Sequence, residues 1–305
     1  MNTWSKLRLL YLERKYACPP TLYVECTNRC NAKCIFCLYP ALESSLQTEI
    51  LSLEKYEEII RQYREMGGRR IALTPTLADP LTDPKFASRL DIASRNGITD
   101  VSFFTNLISF GPSVQEALST SNLHLKLHVS FTGFDQEHYK QFMGVDRFER
   151  VKKHLGILGK IASQNPLLDA RVVMRDYSES EPQKSALIAF IKDCGLKFII
   201  ETEFDSWGGE VENEIIASDR LRLKERDPRS GPCKISLLKP LVTVEGQLKL
   251  CDCRDAYGDL EVGNVFEEGL RKLWLGSRTK KLRRLFYRPD ALPVICQKCE
   301  YYHSI

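Results

Sequence analysis

Short apolar segments and amphipathic segments alternate along the first two thirds of the chain. Thr21–Cys26 has the length and composition of a buried strand, and the segment after it carries apolar residues at helical spacing up to Gly67-Gly68. The five further predicted strands are Arg70–Leu73, Val101–Thr105, Leu123–Val129 with Ser130 at its end, Ala170–Met174 and Lys197–Glu201. Predicted helices lie between them, at Phe86–Arg95, Val114–Leu118, Phe148–Leu158 and Lys184–Cys194.

Six strand–helix units in succession predict a parallel sheet that closes, or partly closes, into a barrel. A full eight-unit barrel takes about 250 residues, and the pattern here stops soon after Glu201. We therefore expect an α/β fold: a partial (β/α)6 TIM-like barrel over residues 20–207. An N-terminal extension (1–19) precedes it, and a small α+β domain (208–305) follows. Chemistry in such barrels lies at the C-terminal ends of the strands.

Composition narrows the class of protein. The 305 residues are 43% hydrophobic and 28% charged, which excludes wholesale disorder. A formal net charge of +4 is too small to indicate nucleic-acid binding. Neither a secretory signal nor an apolar run long enough to span a membrane is visible, so we expect a cytoplasmic, reducing location. Clustered cysteines in that compartment are more often metal ligands or catalytic thiols than disulfides.

The eleven cysteines form two groups, with Cys194 alone between them in an apolar segment that suggests a buried structural residue. The N-terminal group is Cys18, Cys26, Cys30, Cys34 and Cys37, and the C-terminal group is Cys233, Cys251, Cys253, Cys296 and Cys299. This distribution predicts two metal sites on two domains.

The spacing Cys30-x₃-Cys34-x₂-Cys37 follows the first predicted strand. Three thiolates in one loop can hold three corners of a cubane cluster and leave the fourth iron open for a substrate or cofactor. Zinc is the alternative, but a structural zinc site has four closed ligands, usually in C-x₂-C pairs. Cys26 is a candidate fourth ligand, although it lies inside the strand.

Together with the aromatic Phe36, this motif resembles the signature of the radical S-adenosylmethionine (radical SAM) family. The resemblance implies that the open iron binds SAM, whose reductive cleavage yields a 5′-deoxyadenosyl radical that abstracts hydrogen from a substrate. It implies cofactor contacts near Phe36, and at Ala78 and Asp79, where the family has Gly-Gly-Glu-Pro. Further contacts are implied at Asn106 and Ser130. Arg171 is either a partner of the SAM carboxylate or a solvated strand-edge charge.

The C-terminal cysteines surround a predicted hairpin. Leu241–Val244 and Gln247–Leu250 flank Glu245-Gly246, so Cys233 and Cys251 come together, and Cys296-x₂-Cys299 adds two thiolates. Four thiolates suit a closed [4Fe–4S] cluster or zinc. The spacing C-x₁₂-G-x₄-C resembles the SPASM pattern, and here its shortened twitch (half-SPASM) form. The resemblance implies an auxiliary [4Fe–4S] cluster on Cys233, Cys251, Cys296 and Cys299.

Cys253 is left over from this set. It is a candidate hydrogen-atom donor to a substrate radical, a substitute cluster ligand or an inert thiol, and we favour the donor. The polar run from Gly208-Gly209 to Arg229 predicts a linker. Leu270–Arg288 predicts one amphipathic helix with a basic face. That face is either solvated or docks an acidic electron donor such as flavodoxin or ferredoxin, or RNA.

The expected activity follows from the resemblance. A radical SAM enzyme with one auxiliary cluster and a short N-terminal extension fits a small-molecule substrate. We expect epimerisation at a carbinol carbon of a sugar, aminocyclitol or aminoglycoside-like molecule, with Cys253 as the hydrogen donor. The alternatives are a dehydrogenase that uses the auxiliary cluster as electron acceptor, a ribosomal-peptide-modifying enzyme, and a non-catalytic metal-binding module that grips RNA.

Overall fold

The computed structural model describes residues 3–175, 181–211, 222–225, 229 and 231–303. Within them nine strands form one sheet in the order β11-β10-β9-β1-β2-β3-β4-β5-β6, and β7 and β8 form a separate pair. Strands β1–β6 are Leu22–Val24, Arg70–Ala72, Asp100–Thr105, His124–Ser130, Leu168–Arg175 and Lys197–Glu201. Strands β7–β11 are Glu203–Phe204, Arg222–Leu223, Leu241–Val242, Gln247–Lys249 and Glu261–Asn264.

The helices lie mainly between these strands. Helices α1–α8 are Thr3–Lys15, Tyr39–Leu42, Leu53–Glu65, Phe86–Arg95, Pro112–Thr120, Gln136–Met143, Phe148–Gln164 and Glu181–Asp193. Helices α9–α13 are Lys234–Leu238, Val265–Glu268, Leu270–Leu275, Ser277–Leu285 and Val294–Lys298. Single 3₁₀ turns occur at Pro80–Thr82, Trp207–Gly209 and Pro289–Ala291.

The six predicted barrel strands are all present and pair in parallel as β1 to β6. Strand β4 illustrates how the apolar pattern forms these strands. Its residues Leu125, Leu127 and Val129 are buried and join the core that the helices cover. The alternate residues His128 and Ser130 face the other, concave side, as the twofold period of a strand requires. The predicted partial α/β barrel is therefore confirmed.

The predicted hairpin is also present, and it extends the barrel sheet. Strands β9 and β10 pair antiparallel on either side of the turn at Gly246, whose φ of +94° suits glycine. Strand β9 then pairs in parallel with β1, through Tyr23↔Leu241 and Val24↔Val242. This pairing covers the free edge of β1, which a partial barrel would otherwise expose. The sheet thus continues across the expected domain boundary at residue 207.

The predicted basic helix over Leu270–Arg288 is wrong as a single element. It is broken at Gly276, which has extended backbone (ψ 173°) between α11 and α12. Arg283, one of the basic residues in this range, is buried with its guanidinium 4.1 Å from the centre of the Trp274 ring. The predicted linker lies largely outside the described residues. In the part of the chain that the structure describes, no helix has the length and apolar character to cross a membrane.

Candidate active site

A cavity of about 210 Å³ opens at the C-terminal ends of the barrel strands. Its lining includes most of the predicted residues of the first site, namely Cys30, Cys34, Phe36, Cys37, Ala78, Asp79, Asn106 and Ser130. It also includes residues that sequence reasoning did not single out, among them Arg175, Glu203, Asp205, Trp207, Arg254 and Tyr301. We refer to this space as the first cavity.

The three cysteines lie on a loop that is fastened at both sides. The side-chain oxygen of Asn28 accepts a hydrogen bond from the Glu49 backbone N–H at 2.7 Å. Across the loop, the Lys33 N–H donates to the Met143 carbonyl at 2.9 Å. Gly144 permits this approach, because a Cβ there would lie only 2.1 Å from the Lys33 carbonyl oxygen. The end of α6 therefore holds the cysteine loop against the first cavity.

The three thiols suit a multi-iron cofactor. Burial raises the pKa of Cys30 to about 12 and raises that of Cys34 and Cys37 as well, so each thiolate requires a nearby positive centre. Among the described residues, no three His, Cys, Asp or Glu side chains are arranged to hold one metal ion. Three thiols spread around a cavity of this size fit an iron–sulfur cluster better than a mononuclear site. Cys26 is buried in the fold beneath the loop and does not line the cavity.

Asp79 lies at the cavity, but its carboxylate is already engaged. It accepts hydrogen bonds from the N–H groups of Leu81 (2.9 Å) and Asn106 (2.6 Å) and from the Thr105 hydroxyl (3.0 Å). Burial raises its pKa to about 6. Asp79 thus ties the loop after β2 to the end of β3, and its contact with the cofactor stays a prediction. The backbone of Ala78 remains at the cavity wall.

Asn106 and Ser130 lie at the cavity as predicted, each within a small network. The Asn106 amide donates to the Asn31 side-chain oxygen at 2.8 Å and lies 3.9 Å from the Cys30 sulfur, so it braces the cysteine loop. The Ser130 hydroxyl accepts a hydrogen bond from Arg175 at 3.2 Å. The Arg175 guanidinium also stacks on the Phe36 ring, 4.4 Å from its centre.

Arg171 is not among the residues that line the first cavity. Its guanidinium pairs with Asp169 at 2.5 Å. Arg171 lies four residues before Arg175, on the same face of β5. The strand rises about 3.3 Å per residue, so this is roughly 13 Å farther from the strand's C-terminal end. Of the two alternatives for Arg171, this position favours the solvated strand charge over the partner of the SAM carboxylate, and Arg175 lines the cavity in its place.

A second, smaller cavity gathers the C-terminal thiols. The five cysteines that line it are Cys233, Cys251, Cys253, Cys296 and Cys299. Hairpin β9–β10 brings Cys251 beside the start of α9, and Arg229 fastens the C-x₂-C segment by donating to the carbonyls of Cys296 (3.0 Å) and Cys299 (2.6 Å). Burial raises the pKa of Cys299 to about 11. Like the first group, these thiols require a positive centre to ionise.

Cys253 belongs to the second cavity and does not line the first. Its sulfur lies 3.4 Å from Nη1 of Arg254, and burial raises its pKa to about 12. A hydrogen donor must reach the substrate carbon directly, and Cys253 is not among the residues that line the first cavity. The arrangement favours a structural or ligand role for Cys253 over the predicted hydrogen-donor role.

Arg254 stands between the two cavities and lines both, as does Tyr301. Its guanidinium makes a bidentate pair with Asp205 at 2.5 and 2.6 Å. It is also stacked between Trp207 and Tyr301, 4.3 and 4.4 Å from the ring centres. Asp205 and Arg254 are 49 residues apart in sequence. The sequence signals for this pair are the position of Asp205 soon after the last barrel strand and the Cys-Asp-Cys-Arg run that ends at Arg254.

The fold and the two thiol-lined cavities define an iron–sulfur enzyme built on a partial barrel. The family model of the radical SAM superfamily matches residues 24–187, and the chain belongs to this superfamily. The model of the SPASM iron-sulfur cluster-binding domain matches residues 233–300. SAM and [4Fe–4S] clusters are thus its cofactors, and the chain is a radical SAM enzyme. The alternative of a non-catalytic RNA-binding module is not supported.

Curated relatives of the chain are named GTP 3′,8-cyclase. The protein of Desulforamulus reducens is 24% identical over 132 residues, which is 43% of this chain and 39% of that one. The protein of Mannheimia succiniciproducens is 23% identical over 225 residues, covering 70% of this chain and 65% of that one. The chain thus spans between about two fifths and two thirds of these relatives.

Solved structures share the fold. SuiB of Streptococcus suis bound to precursor peptide SuiA superimposes with a TM-score of 0.69 at 16% identity, covering 98% of this chain and 76% of that one. BtrN in complex with AdoMet and 2-DOIA gives 0.58 at 14% identity, covering 93% and 98%. At such identities the likeness extends to the fold alone.

Proposed function

We propose that this enzyme oxidises a carbinol carbon of a small hydroxylated substrate, of the sugar or aminocyclitol class, and passes one electron to the auxiliary cluster. The observation that carries the proposal is the shared wall: Arg254 and Tyr301 line both cavities. A substrate in the first cavity therefore lies next to the thiols of the second. Direct adjacency suits electron transfer between substrate and auxiliary cluster.

In this proposal the first cluster is held by Cys30, Cys34 and Cys37, and the auxiliary cluster by Cys233, Cys251, Cys296 and Cys299. When bound, these clusters and SAM supply a 5′-deoxyadenosyl radical and an acceptor for one electron. Oxidation of the carbinol to a ketone would then transfer one hydrogen atom to that radical, one proton to solvent and one electron to the acceptor.

The charged residues of the first cavity favour a hydroxylated or amino-substituted reacting end. The lining of this cavity includes three acidic residues, Asp79, Glu203 and Asp205, and two basic residues, Arg175 and Arg254. Since Arg254 is paired with Asp205, the surroundings of the reacting carbon are not basic. A triphosphate placed there would lack the cationic partners that such a group requires. A triphosphate group is therefore a weaker candidate for this position than a hydroxylated group.

The side chains at the cavity orient the substrate and limit water. Ser130 and Arg175 form a hydrogen-bonded pair on the strand ends and offer a hydroxyl and a guanidinium to substrate oxygens. Trp207 closes the side near the cysteine loop, where its indole N–H donates to the Phe36 carbonyl at 3.2 Å. Exclusion of water protects a reactive radical from side reactions.

The test is anaerobic turnover of the reconstituted enzyme with SAM, dithionite and a panel of polyols, aminocyclitols and GTP. Deuterium at the carbinol carbon is expected to appear in 5′-deoxyadenosine, with one ketone formed per SAM cleaved. Cys34→Ala is expected to abolish 5′-deoxyadenosine formation. Cys194→Ala, which removes a thiol outside both cavities, is the matched control. SAM cleavage that is unchanged in Cys34→Ala would overturn the assignment.

Cys253→Ala separates oxidation from epimerisation. Oxidation needs no hydrogen atom returned to carbon, so this variant is expected to keep forming ketone. Inverted product in the native enzyme, solvent deuterium at the product carbon and loss of both in Cys253→Ala would favour the epimerase instead. Modification of a peptide in place of every small molecule would favour the third alternative. An acidic donor such as flavodoxin or ferredoxin remains our prediction for the reductant.

A further inference from the structure

The concave face of the sheet, below the first cavity, carries side chains that a closed barrel would not place there. Barrel interiors are usually packed with branched apolar residues. Here the strand register instead aligns Phe104↔His128, His128↔Arg171 and Arg171↔Lys197 in one row across β3, β4, β5 and β6. We call these four residues the concave row. The partial barrel leaves it accessible to solvent, so its composition needs another explanation.

One half of the concave row is an aromatic platform. The rings of Phe104 and His128 are stacked, with centroids 4.5 Å apart and planes 21° from parallel. Phe104 is 45% exposed although it lies within a strand. It also lines the first cavity, as does Ser130, two residues after His128. The platform therefore begins where the first cavity ends, and its open ring face suits stacking against a flat ring.

The other half of the concave row is cationic. Asp169 holds two cations side by side, with Arg171 at 2.5 Å and Lys197 at 2.8 Å. Lys126 is directly opposite Asp169 in the register of β4 and β5 and adds a third cationic residue to this part of the sheet. Arg171 keeps 37% of its side chain exposed and Lys197 69%. Two adjacent, exposed cations of this kind suit a phosphate group.

We propose that the concave row binds the distal, phosphate-bearing end of the substrate, with a ring on Phe104–His128 and the phosphate on Arg171 and Lys197. This inference rests on the proposed function for the reacting end and adds that the substrate is elongated and phosphorylated. Neighbouring strands lie about 4.8 Å apart, so the cations lie roughly 5–10 Å from the platform. In a molecule where a sugar and one or two further bonds separate a flat ring from a phosphate, the ring and the phosphate span that distance.

Binding to the anaerobically reconstituted holoenzyme tests this inference without turnover. Calorimetry with UMP, uridine and inorganic phosphate separates the two halves of the concave row. UMP is expected to bind more tightly than uridine or inorganic phosphate, and its affinity is expected to fall as the ionic strength rises. Lys197→Gln and Arg171→Gln are each expected to weaken UMP binding about tenfold, since each removes a charge-assisted contact. Phe104→Leu is expected to weaken UMP and uridine alike.

The matched control is Lys160→Gln, which removes an exposed lysine from the outer helix α7. Thermal unfolding of every variant checks that the fold is retained. Equal affinity for inorganic phosphate and UMP, with the same loss in Arg171→Gln, would reduce the row to a simple anion site and overturn the proposal. UMP binding that is absent, or unchanged in Arg171→Gln and Lys197→Gln, would also overturn it.

Failure of this inference and failure of the proposed function give different results. If polyols are oxidised but the phosphorylated probe ignores the concave row, only the distal site is wrong. If UMP binds through Arg171 and Lys197 but no alcohol is oxidised, the reaction is wrong and the binding site stands.

Discussion

A buried ion pair beneath the first cavity offers a direct test of the structure. Arg89 and Asp83 form a salt bridge in which both side chains are 0% exposed. Arg89 also donates to the Leu51 carbonyl and lies over the ring of Tyr56, 5.1 Å from its centre. Asp83 ends the 3₁₀ turn that Asp79 begins. The pair therefore anchors the loop that carries part of the cavity wall.

Arg89→Met keeps most of the apolar stem and removes the charge. Asp83 then stays buried without its cation, and breaking a buried pair in this way costs about 3–5 kcal/mol. The exposed pair on the same helix is the control: Arg95 is 60% exposed and its partner Glu57 40% exposed. Arg95→Met is expected to cost less than about 1 kcal/mol, because solvent screens an exposed pair.

Urea unfolding under anaerobic conditions, followed by circular dichroism, measures both variants against the native enzyme. The double variant Arg89→Met/Asp83→Asn is expected to lose less stability than the two single variants together, because neither charge is left alone. Equal small losses for Arg89→Met and Arg95→Met would refute the reasoning. Strict additivity in the double variant would show that the two residues do not interact.

Three further predictions concern the walls of the cavities. Gly144→Ala is expected to lower the iron content of the enzyme, because the new Cβ would lie 2.1 Å from the Lys33 carbonyl oxygen. Gly156→Ala is the control, since a Cβ there meets open space. Equal iron content in the two variants would contradict the prediction. Arg254→Gln is expected to slow ketone formation about tenfold through lost positioning while SAM cleavage persists, and an unchanged rate would argue against a shared wall. Burial raises the pKa of Asp79 to about 6, so its stabilising contribution is present below its usual pKa of about 4 and is lost as pH rises to about 6. The urea midpoint of the native enzyme should fall relative to Asp79→Asn over that window, and parallel curves would contradict the shift.

Much of the first site follows from local pattern. The spacing of Cys30, Cys34 and Cys37 is a property of one loop, and that loop follows a strand whose apolar run is visible in the sequence. The turn at Gly246 likewise follows from short-range backbone preference. The twofold period of β4 places His128 and Ser130 on one face. None of these features needs knowledge of distant parts of the chain.

The sequence by itself determined the strand succession, the two thiol groups and the face on which each strand residue lies, because these depend on neighbours within a few positions. Tertiary structure alone decided how far along the strand a residue meets the cavity, which separates Arg175 from Arg171. It also decided that Cys253 lines the second cavity and that the Asp79 carboxylate accepts hydrogen bonds from Thr105 and Asn106. Such outcomes depend on contacts between segments far apart in the chain, as Arg254 with Asp205 shows.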